Sequence, residues 1–368
     1  MRKIHGSDTD FSVQTRGAFA SSEDPRRAST QGLGEKRRET THLAALDGLR
    51  GIAAFSVVYF HYCSIAGTAP LLPGAGLAVD FFFALSGYVL GHAYADRLKD
   101  PAYFTPFVAQ RVVRLYPLAL IGCLLGVVVH FLASEAMTSM DVINVAFGVL
   151  LLPTPFNPGA GALPYNPPLW SLACEMTVNI ALALFYVRLS NRVLIAIAVV
   201  SAIIYLPCHI HVDGPPMIGR DPIGLIGVMV RTTGPFFLGV VLQRFNAGKG
   251  LIDRGALLFG ACCSALITVF AADPHGIAGA IFTSAANILV FPIIILVASR
   301  LAMNSDLVAW LGKISFPVYI LHDPLLRLAN FLGVLSIASV LGVVAISWVV
   351  GERVDVPLRR AIRRALPI

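Results

Sequence analysis

Apolar stretches of about twenty residues recur along the chain between residues 45 and 350, and each is long enough to span a bilayer as an α-helix. Of the 368 residues, 56% are hydrophobic and only 13% are charged, which excludes an ordinary soluble globular domain. The stretches are continuous rather than alternating, and this excludes a transmembrane barrel. We therefore predict an all-α, polytopic integral membrane protein.

Basic residues give the predicted spans a direction. With ten spans, nearly all Lys- and Arg-bearing loops and both termini fall on one side. The opposite loops carry little more than Arg220 in basic charge, against Glu135, Asp141, Asp213, Asp221 and Asp273. Because cytoplasmic loops carry the excess of Lys and Arg, both termini are predicted to be cytoplasmic. The apolar run 142–152 is too short to cross. The predicted spans are residues 45–66, 77–95, 112–134, 169–187, 192–208, 222–243, 254–272, 277–299, 314–331 and 333–350.

Composition divides the chain into three parts. Residues 1–42 are polar, rich in Ser, Thr and Arg, and without periodicity, so we predict a disordered cytoplasmic extension. Residues 43–352 form the predicted transmembrane domain, and residues 353–368 form a short basic cytoplasmic tail. The net charge of +7 belongs to loops that set topology, so the expected partner is a lipid bilayer and not nucleic acid. The expected location is the inner or plasma membrane of the cell, crossed in multiple passes.

Arg50 and His61 stand eleven residues apart in the first span, LDGLRGIAAFSVVYFHYCS. Ionisable groups are costly in lipid, so those retained within a span indicate a functional site. Eleven residues advance about 16 Å along an α-helix and return to nearly the same face. Both side chains are therefore predicted to face the protein interior, Arg50 near the cytoplasmic boundary and His61 farther in.

Glu175, in LWSLACE of the fourth span, is the predicted partner of His61. A carboxylate beside a histidine fixes its tautomer and raises its basicity, which suits a general base for a hydroxyl group. The same pair would also suit a proton relay, and a lone histidine can simply satisfy a neighbouring backbone. His209 and His211 are expected in a solvated outer loop. No metal site is predicted, because the candidate ligands lack the spacing.

Arg111 and Arg114, in AQRVVRLYP, are three residues apart at the start of the third span. This spacing places both guanidinium groups on one helix face, where they could bind phosphate oxygens bidentately. The alternative is that they only enforce topology. With Arg50 on the same side, the three groups indicate a multiply phosphorylated ligand that approaches from the cytoplasm.

Other polar residues lie within or at the ends of the spans. Asp80 and Ser86 fall in VDFFFALSGYVL of the second span. His322 precedes Asp323 and Pro324 in the ninth span. A proline there frees backbone carbonyls, and His322 could serve only to satisfy them.

These motifs together resemble the acyltransferase-3 family of membrane-bound O-acyltransferases of sugars and natural products. The resemblance extends from about residue 43 to residue 365. It rests, in chain order, on LDGLRGIAAFSVVYFH, VDFFFALSGYVL, RVVRLYP, LWSLACE, FPVYILHDPL and GERVDVPLRR.

The resemblance implies O-acyl transfer, most often of acetyl, from acyl-coenzyme A to a hydroxyl group. The acceptor would be a glycan, a lipid-linked saccharide or a natural product, and acyl-coenzyme A would be a co-substrate rather than a permanently bound cofactor. By the family's motifs, His61 is the essential histidine and Arg50 its partner arginine. Arg111 and Arg114 would engage the donor, and Glu175 is the acidic residue after Trp-Ser-Leu. The supporting residues are expected to be Asp80, Ser86, Trp170, Ser171 and His322.

The alternative function is a proton-coupled transporter or exporter of a glycan or small solute. His61 and Glu175 would then form its proton relay. The polytopic architecture and the intramembrane titratable groups favour this alternative. The lack of a visible inverted repeat and the arginine pair argue against it.

Overall fold

The computed structural model describes residues 43–133, 138–154, 163–218, 222–247, 252, 255–303 and 305–366. The extension 1–42 and part of the Pro- and Gly-rich segment after residue 154 lie outside the described residues. Within the described ranges the regular structure is helical, apart from an isolated bridge between Ile252 and Leu301. The helices are α1 Ala44–Ala66, α2 Ala78–Tyr94, α3 Phe104–Ala133, α4 Ser139–Val149, α5 Leu169–Phe185, α6 Asn191–Val212, α7 Pro222–Asn246, α8 Gly255–Ala271, α9 Gly276–Ala285, α10 Phe291–Ala298, α11 Asp306–Phe331, α12 Ile337–Val350 and α13 Val356–Ala365.

Short non-α turns join several of these helices. A 3-10 turn, Pro73–Leu77, leads into α2. π-Helical turns at Ala286–Val290 and Gly351–Asp355 connect α9 to α10 and α12 to α13 without a break. The helix therefore continues through residue 353, where the sequence predicts the start of a separate tail.

Eight helical segments of the described chain are long and apolar enough to cross a bilayer: Ala44–Ala66, Pro73–Tyr94, Pro101–Ala133, Leu169–Arg188, Asn191–Val212, Pro222–Asn246, Gly276–Ala298 and Ile337–Ala365. The protein is thus an all-helical, multi-pass membrane protein, as predicted. The count of ten and the cytoplasmic termini remain predictions. The predicted span 254–272 corresponds to the 17-residue α8, about 26 Å long. The predicted span 314–331 lies within α11, which is less apolar, and the run 142–152 overlaps the 11-residue α4.

The most extensive helix pairing joins α1 to α11. The two helices run parallel, because Gly51 lies beside Leu311 and His61, ten residues later, lies beside His322. A Cβ atom at Gly51 would come within 2.7 Å of the Leu311 backbone oxygen. Glycine thus permits close packing of the kind that small residues allow between membrane helices. This register determines which residue faces His61.

A second close pairing joins α2 to α7. A Cβ atom at Gly87 would overlap the carbonyl oxygen of Phe236, and one at Gly239 would overlap that of Ala84. The two backbones therefore touch, and each helix needs its glycine at the crossing. Helix α6 packs on the other side of α7.

Replacing Gly87 by Ala is expected to destabilise the protein by about 1–3 kcal/mol, because the added methyl group forces α2 away from α7. Gly260→Ala in α8 is the matched control, since open space surrounds that position and alanine favours a helix. Thermal unfolding in detergent should show a lower midpoint for Gly87→Ala only. Equal midpoints for the two variants would contradict the close crossing.

Candidate active site

His61 and His322 face each other between α1 and α11. His61 Nδ1 and His322 Nε2 are 2.6 Å apart, which is hydrogen-bonding distance. The two ring planes are nearly parallel, 18° apart, and the ring centroids are 4.8 Å apart. His322 is fully buried, whereas His61 is half-buried.

The backbone of α11 fixes the tautomer of this pair. His322 Nδ1 lies 2.7 Å from the carbonyl oxygen of Tyr319 and 3.2 Å from that of Val318. A carbonyl oxygen can only accept, so Nδ1 of His322 carries the hydrogen and Nε2 of the neutral ring is an acceptor. His61 Nδ1 must then donate to it. The lone pair of neutral His61 is therefore on Nε2, the nitrogen that does not face His322.

The predicted pairing of His61 with Glu175 is wrong. Glu175 Oε1 accepts hydrogen bonds from Ser86 Oγ at 2.7 Å and from Arg111 Nη2 at 2.9 Å. The physical reason is the level at which α5 begins. Asn166, just before α5, lies against Gly122 in the middle of α3, and from there the helix carries Glu175 alongside Arg111. His322 takes the place that the sequence assigns to Glu175.

Residues around the histidine pair hold α11 in place. Pro324 removes the N–H that would bond the Ile320 carbonyl, and Asn166 Nδ2 donates to that oxygen at 2.9 Å. His322 Nδ1 bonds carbonyl oxygens of α11, so His322 does satisfy the backbone there. Its Nε2 also binds His61, and this contact goes beyond a purely structural role. Asp323 is ion-paired with Arg327 at 2.7 Å and is close enough to act electrostatically on His61.

The tyrosine of the VYILHDP motif links the histidine pair to α5. Tyr319 Oη and Ser171 Oγ are 2.7 Å apart, and Ser171 Oγ donates to the carbonyl oxygen of Pro168 at 3.0 Å. Phe82 packs edge-on against the Tyr319 ring, with centroids 5.5 Å apart. Ser171 therefore positions α11 rather than facing His61 directly.

The three predicted donor-binding arginines form one electrostatic group but differ in exposure. Arg111 is 5% exposed and bound to Glu175, whereas Arg114 is exposed and Arg50 is half-buried. Arg50 also pairs with Asp47 at 2.8 Å. Each of the three lies within electrostatic range of the others. We call the end of the bundle that carries these arginines the basic end. A phosphate could reach Arg114 directly, while Arg111 Nε is buried without a hydrogen-bond partner in the structure described.

A buried arginine that the sequence analysis missed holds the predicted supporting residues Asp80 and Trp170. Arg231 donates from Nε and Nη2 to the fully buried Asp80 carboxylate, with the shortest distance 2.6 Å. Its Cζ lies 5.3 Å from the centroid of the Trp170 ring, and Asn287 Nδ2 donates to Asp80. The sequence does contain a signal for this ion pair, because an arginine in the middle of a predicted span needs an acidic partner. These contacts give Asp80 and Trp170 a structural role.

The two histidines predicted in an outer loop, His209 and His211, belong to α6. His209 is not in a solvated loop as predicted, because α6 continues to residue 212; it is 2% exposed and contacts Tyr205 Oη at 2.9 Å. His211 lies in the same last turn. Across the described ranges, no three His, Cys, Asp or Glu side chains cluster in a way that could hold a metal ion.

A family model and one named relative indicate the same class, an acyltransferase. A family model described as "Acyltransferase domain" matches residues 43–351. Acyltransferase MdmB of Streptomyces mycarofaciens is 26% identical over 374 residues, which cover 89% of this chain and 94% of that protein. "Protein 2 in picA locus" of Rhizobium radiobacter is 35% identical over 178 residues, which cover 44% of this chain and 91% of that protein. No solved structure matches the chain.

Asp80→Asn is expected to destabilise the fold by about 3–5 kcal/mol, because it leaves the Arg231 guanidinium buried without a counter-charge. Asp96→Asn is the matched control. Its ion pair with Lys99 has the same 2.6 Å separation, but both side chains are exposed. Thermal unfolding should show a large fall in the midpoint for Asp80→Asn and no measurable change for Asp96→Asn. A similar small change in both would contradict the structural role of Asp80.

Proposed function

Because the chain belongs to the acyltransferase family whose model spans residues 43–351, we propose that it moves an acyl group from acyl-coenzyme A to a hydroxyl group, with His61 as the general base. The observation that carries this proposal is the His61–His322 hydrogen bond, which leaves His61 Nε2 unprotonated. Family membership also favours an enzyme over the transporter alternative.

In the proposed reaction, His61 Nε2 takes the proton of the acceptor hydroxyl as its oxygen attacks the thioester carbonyl. The tetrahedral intermediate then collapses: the carbon–sulfur bond breaks, and the protonated His61 returns the proton to the departing thiolate. Throughout, His61 Nδ1 donates to His322 Nε2, so the ring keeps one orientation. His322 is a positioning residue in this scheme, since it touches His61 and not the substrates.

Donor binding is assigned to the basic end. Arg114 and Arg50 would bind the phosphates of acyl-coenzyme A, and the acyl arm would run along α1 towards His61. The helical rise between Arg50 and His61 is about 16 Å, which an extended pantetheine arm can cover. Arg111 would act with Glu175, whose carboxylate holds the buried guanidinium in position. The topology predicted by the positive-inside rule places this end in the cytoplasm.

The acceptor is proposed to be a hydroxyl of a glycan, a lipid-linked saccharide or a related natural product, and the acyl group to be acetyl. Acyl-coenzyme A would enter and leave as a co-substrate, so no permanently bound cofactor is required. The proposed location is the inner or plasma membrane of the cell, where cytoplasmic donor and membrane-associated acceptor can meet.

His61→Ala is expected to lower kcat by about 10²–10⁴-fold, because the proton acceptor is lost. His322→Leu should lower kcat strongly while the KM for acetyl-coenzyme A stays near the wild-type value. His322→Gln should retain more activity than His322→Leu, since its amide oxygen can accept from His61 Nδ1. Acetyl transfer by purified protein, with insertion and folding checked, measures all three.

His92→Ala is the control for these variants, because His92 is exposed in the last turn of α2. It should retain wild-type kcat. Near-native activity of a folded His61→Ala protein would show that His61 is structural and would overturn the mechanism.

Arg114→Ala should raise the KM for acetyl-coenzyme A by about tenfold or more, because a charge-assisted contact to phosphate is removed. Arg192→Ala, an exposed arginine at the start of α6, should leave the KM unchanged. Neither substitution should alter kcat much. An unchanged KM for Arg114→Ala would exclude this arginine from the donor site.

A further inference from the structure

Two tyrosines form a hydrogen-bonded cluster beside the basic end, between α2 and α3. Tyr94 Oη donates to Gln110 Oε1 at 3.3 Å, and Gln110 Nε2 donates to Tyr103 Oη at 3.1 Å. Arg97 Nη1 donates to Tyr103 Oη at 3.3 Å, and its Cζ lies 5.9 Å from the centroid of that ring. We call Tyr94, Arg97, Tyr103 and Gln110 the tyrosine cluster.

The tyrosine cluster is held firmly but is not closed off. Phe107 is fully buried and packs edge-on against Tyr94, with centroids 5.0 Å apart. Tyr94, Tyr103 and Gln110 are half-buried, and Arg97 is exposed. The two tyrosine rings lie 6.4 Å apart at 35°. A fixed, partly open aromatic surface with a cation at its face suits a flat π system, which stacks on tyrosine and on guanidinium alike.

The cluster leads directly to the donor-binding arginines. Gln110 precedes Arg114 by one turn of α3, a rise of about 6 Å. Arg111, the next residue, is close enough to Tyr94 to interact electrostatically. Along one face of α3, an aromatic and amide surface comes first and guanidinium groups follow. A nucleotide has the matching order, with the base first and the diphosphate next.

The carboxylates of Asp96 and Asp100, which lie near the cluster in sequence, already accept hydrogen bonds from other groups. The tyrosine cluster is therefore open to an anionic ligand. Asp96 accepts from Lys99 Nζ at 2.6 Å, and this contact lowers the pKa of the Asp96 carboxyl group. Asp100 Oδ1 accepts from the backbone N–H of Ala102. Arg97, by contrast, donates to a phenol oxygen, which a phosphate oxygen could outcompete.

We propose that the tyrosine cluster binds the nucleotide end of the acyl donor, with a purine base on Tyr103 and Tyr94 and a ribose phosphate at Arg97. The inference rests on the proposed function and names the part of acyl-coenzyme A that the cluster recognises. The diphosphate then lies towards Arg111 and Arg114, and the acyl arm continues into the bundle.

The test compares acetyl-coenzyme A with S-acetylpantetheine, a donor that lacks the nucleotide. Tyr103→Leu should raise the KM for acetyl-coenzyme A by about tenfold or more, because base stacking is lost, and should leave kcat and the KM for S-acetylpantetheine unchanged. Tyr103→Phe, which keeps the ring, should change the KM for acetyl-coenzyme A far less. Phe245→Leu, an exposed aromatic at the end of α7, is the control and should change neither.

Equilibrium binding of coenzyme A and of pantetheine to the same variants, in zwitterionic lipid nanodiscs, separates this inference from the proposed function. If wild-type protein transfers no acetyl group but Tyr103→Leu still loses affinity for coenzyme A alone, the nucleotide site stands and the proposed reaction fails. An unchanged affinity for coenzyme A in folded Tyr103→Leu would overturn the site. An equal loss for both ligands, with a lower unfolding midpoint, would make the cluster structural and overturn it as well.

Discussion

The packing of α1 along α11 determines which residue faces His61, the proposed general base. Small residues bring the two parallel helices close, and the register that follows places His61 against His322. The orientation of both rings then depends on carbonyl oxygens of α11, which are rigid because they belong to a helix. With its ring oriented by His322, the proposed base His61 needs no carboxylate partner.

Two buried ion pairs illustrate how surroundings set the role of a charge. Arg231 and Asp80 are almost inaccessible, and two further hydrogen bonds, to the carbonyl oxygens of Pro216 and Gly76, satisfy the guanidinium. Arg111 is equally buried, but its partner Glu175 is 22% exposed at the side chain, and Arg111 Nε lacks a partner in the structure described. The hydrogen bonds of the first pair are therefore satisfied within the described fold, whereas those of the second are not.

Much of the fold follows from the sequence because lipid imposes a simple rule: long apolar stretches become helices. The all-helical membrane class was predicted from this rule and is confirmed. Helix ends were less accurate, and one of them matters for the site. α5 begins level with the middle of α3, where Asn166 lies against Gly122, and Glu175 therefore meets Arg111. Counting residues from an assumed span end could not reveal this. The partner of His61 lies 261 residues away in α11, a pairing set by tertiary packing that periodicity does not encode.

The most direct test of the central claim, that His61 and His322 act as one unit, is a double-mutant cycle on kcat for acetyl transfer. The variants are His61→Ala, His322→Leu and the two combined, each checked for folding. Groups that act together are strongly non-additive, so the double variant should be no slower than His61→Ala alone. Multiplication of the two single effects in the double variant would contradict the account, because it would show that His322 contributes independently of His61.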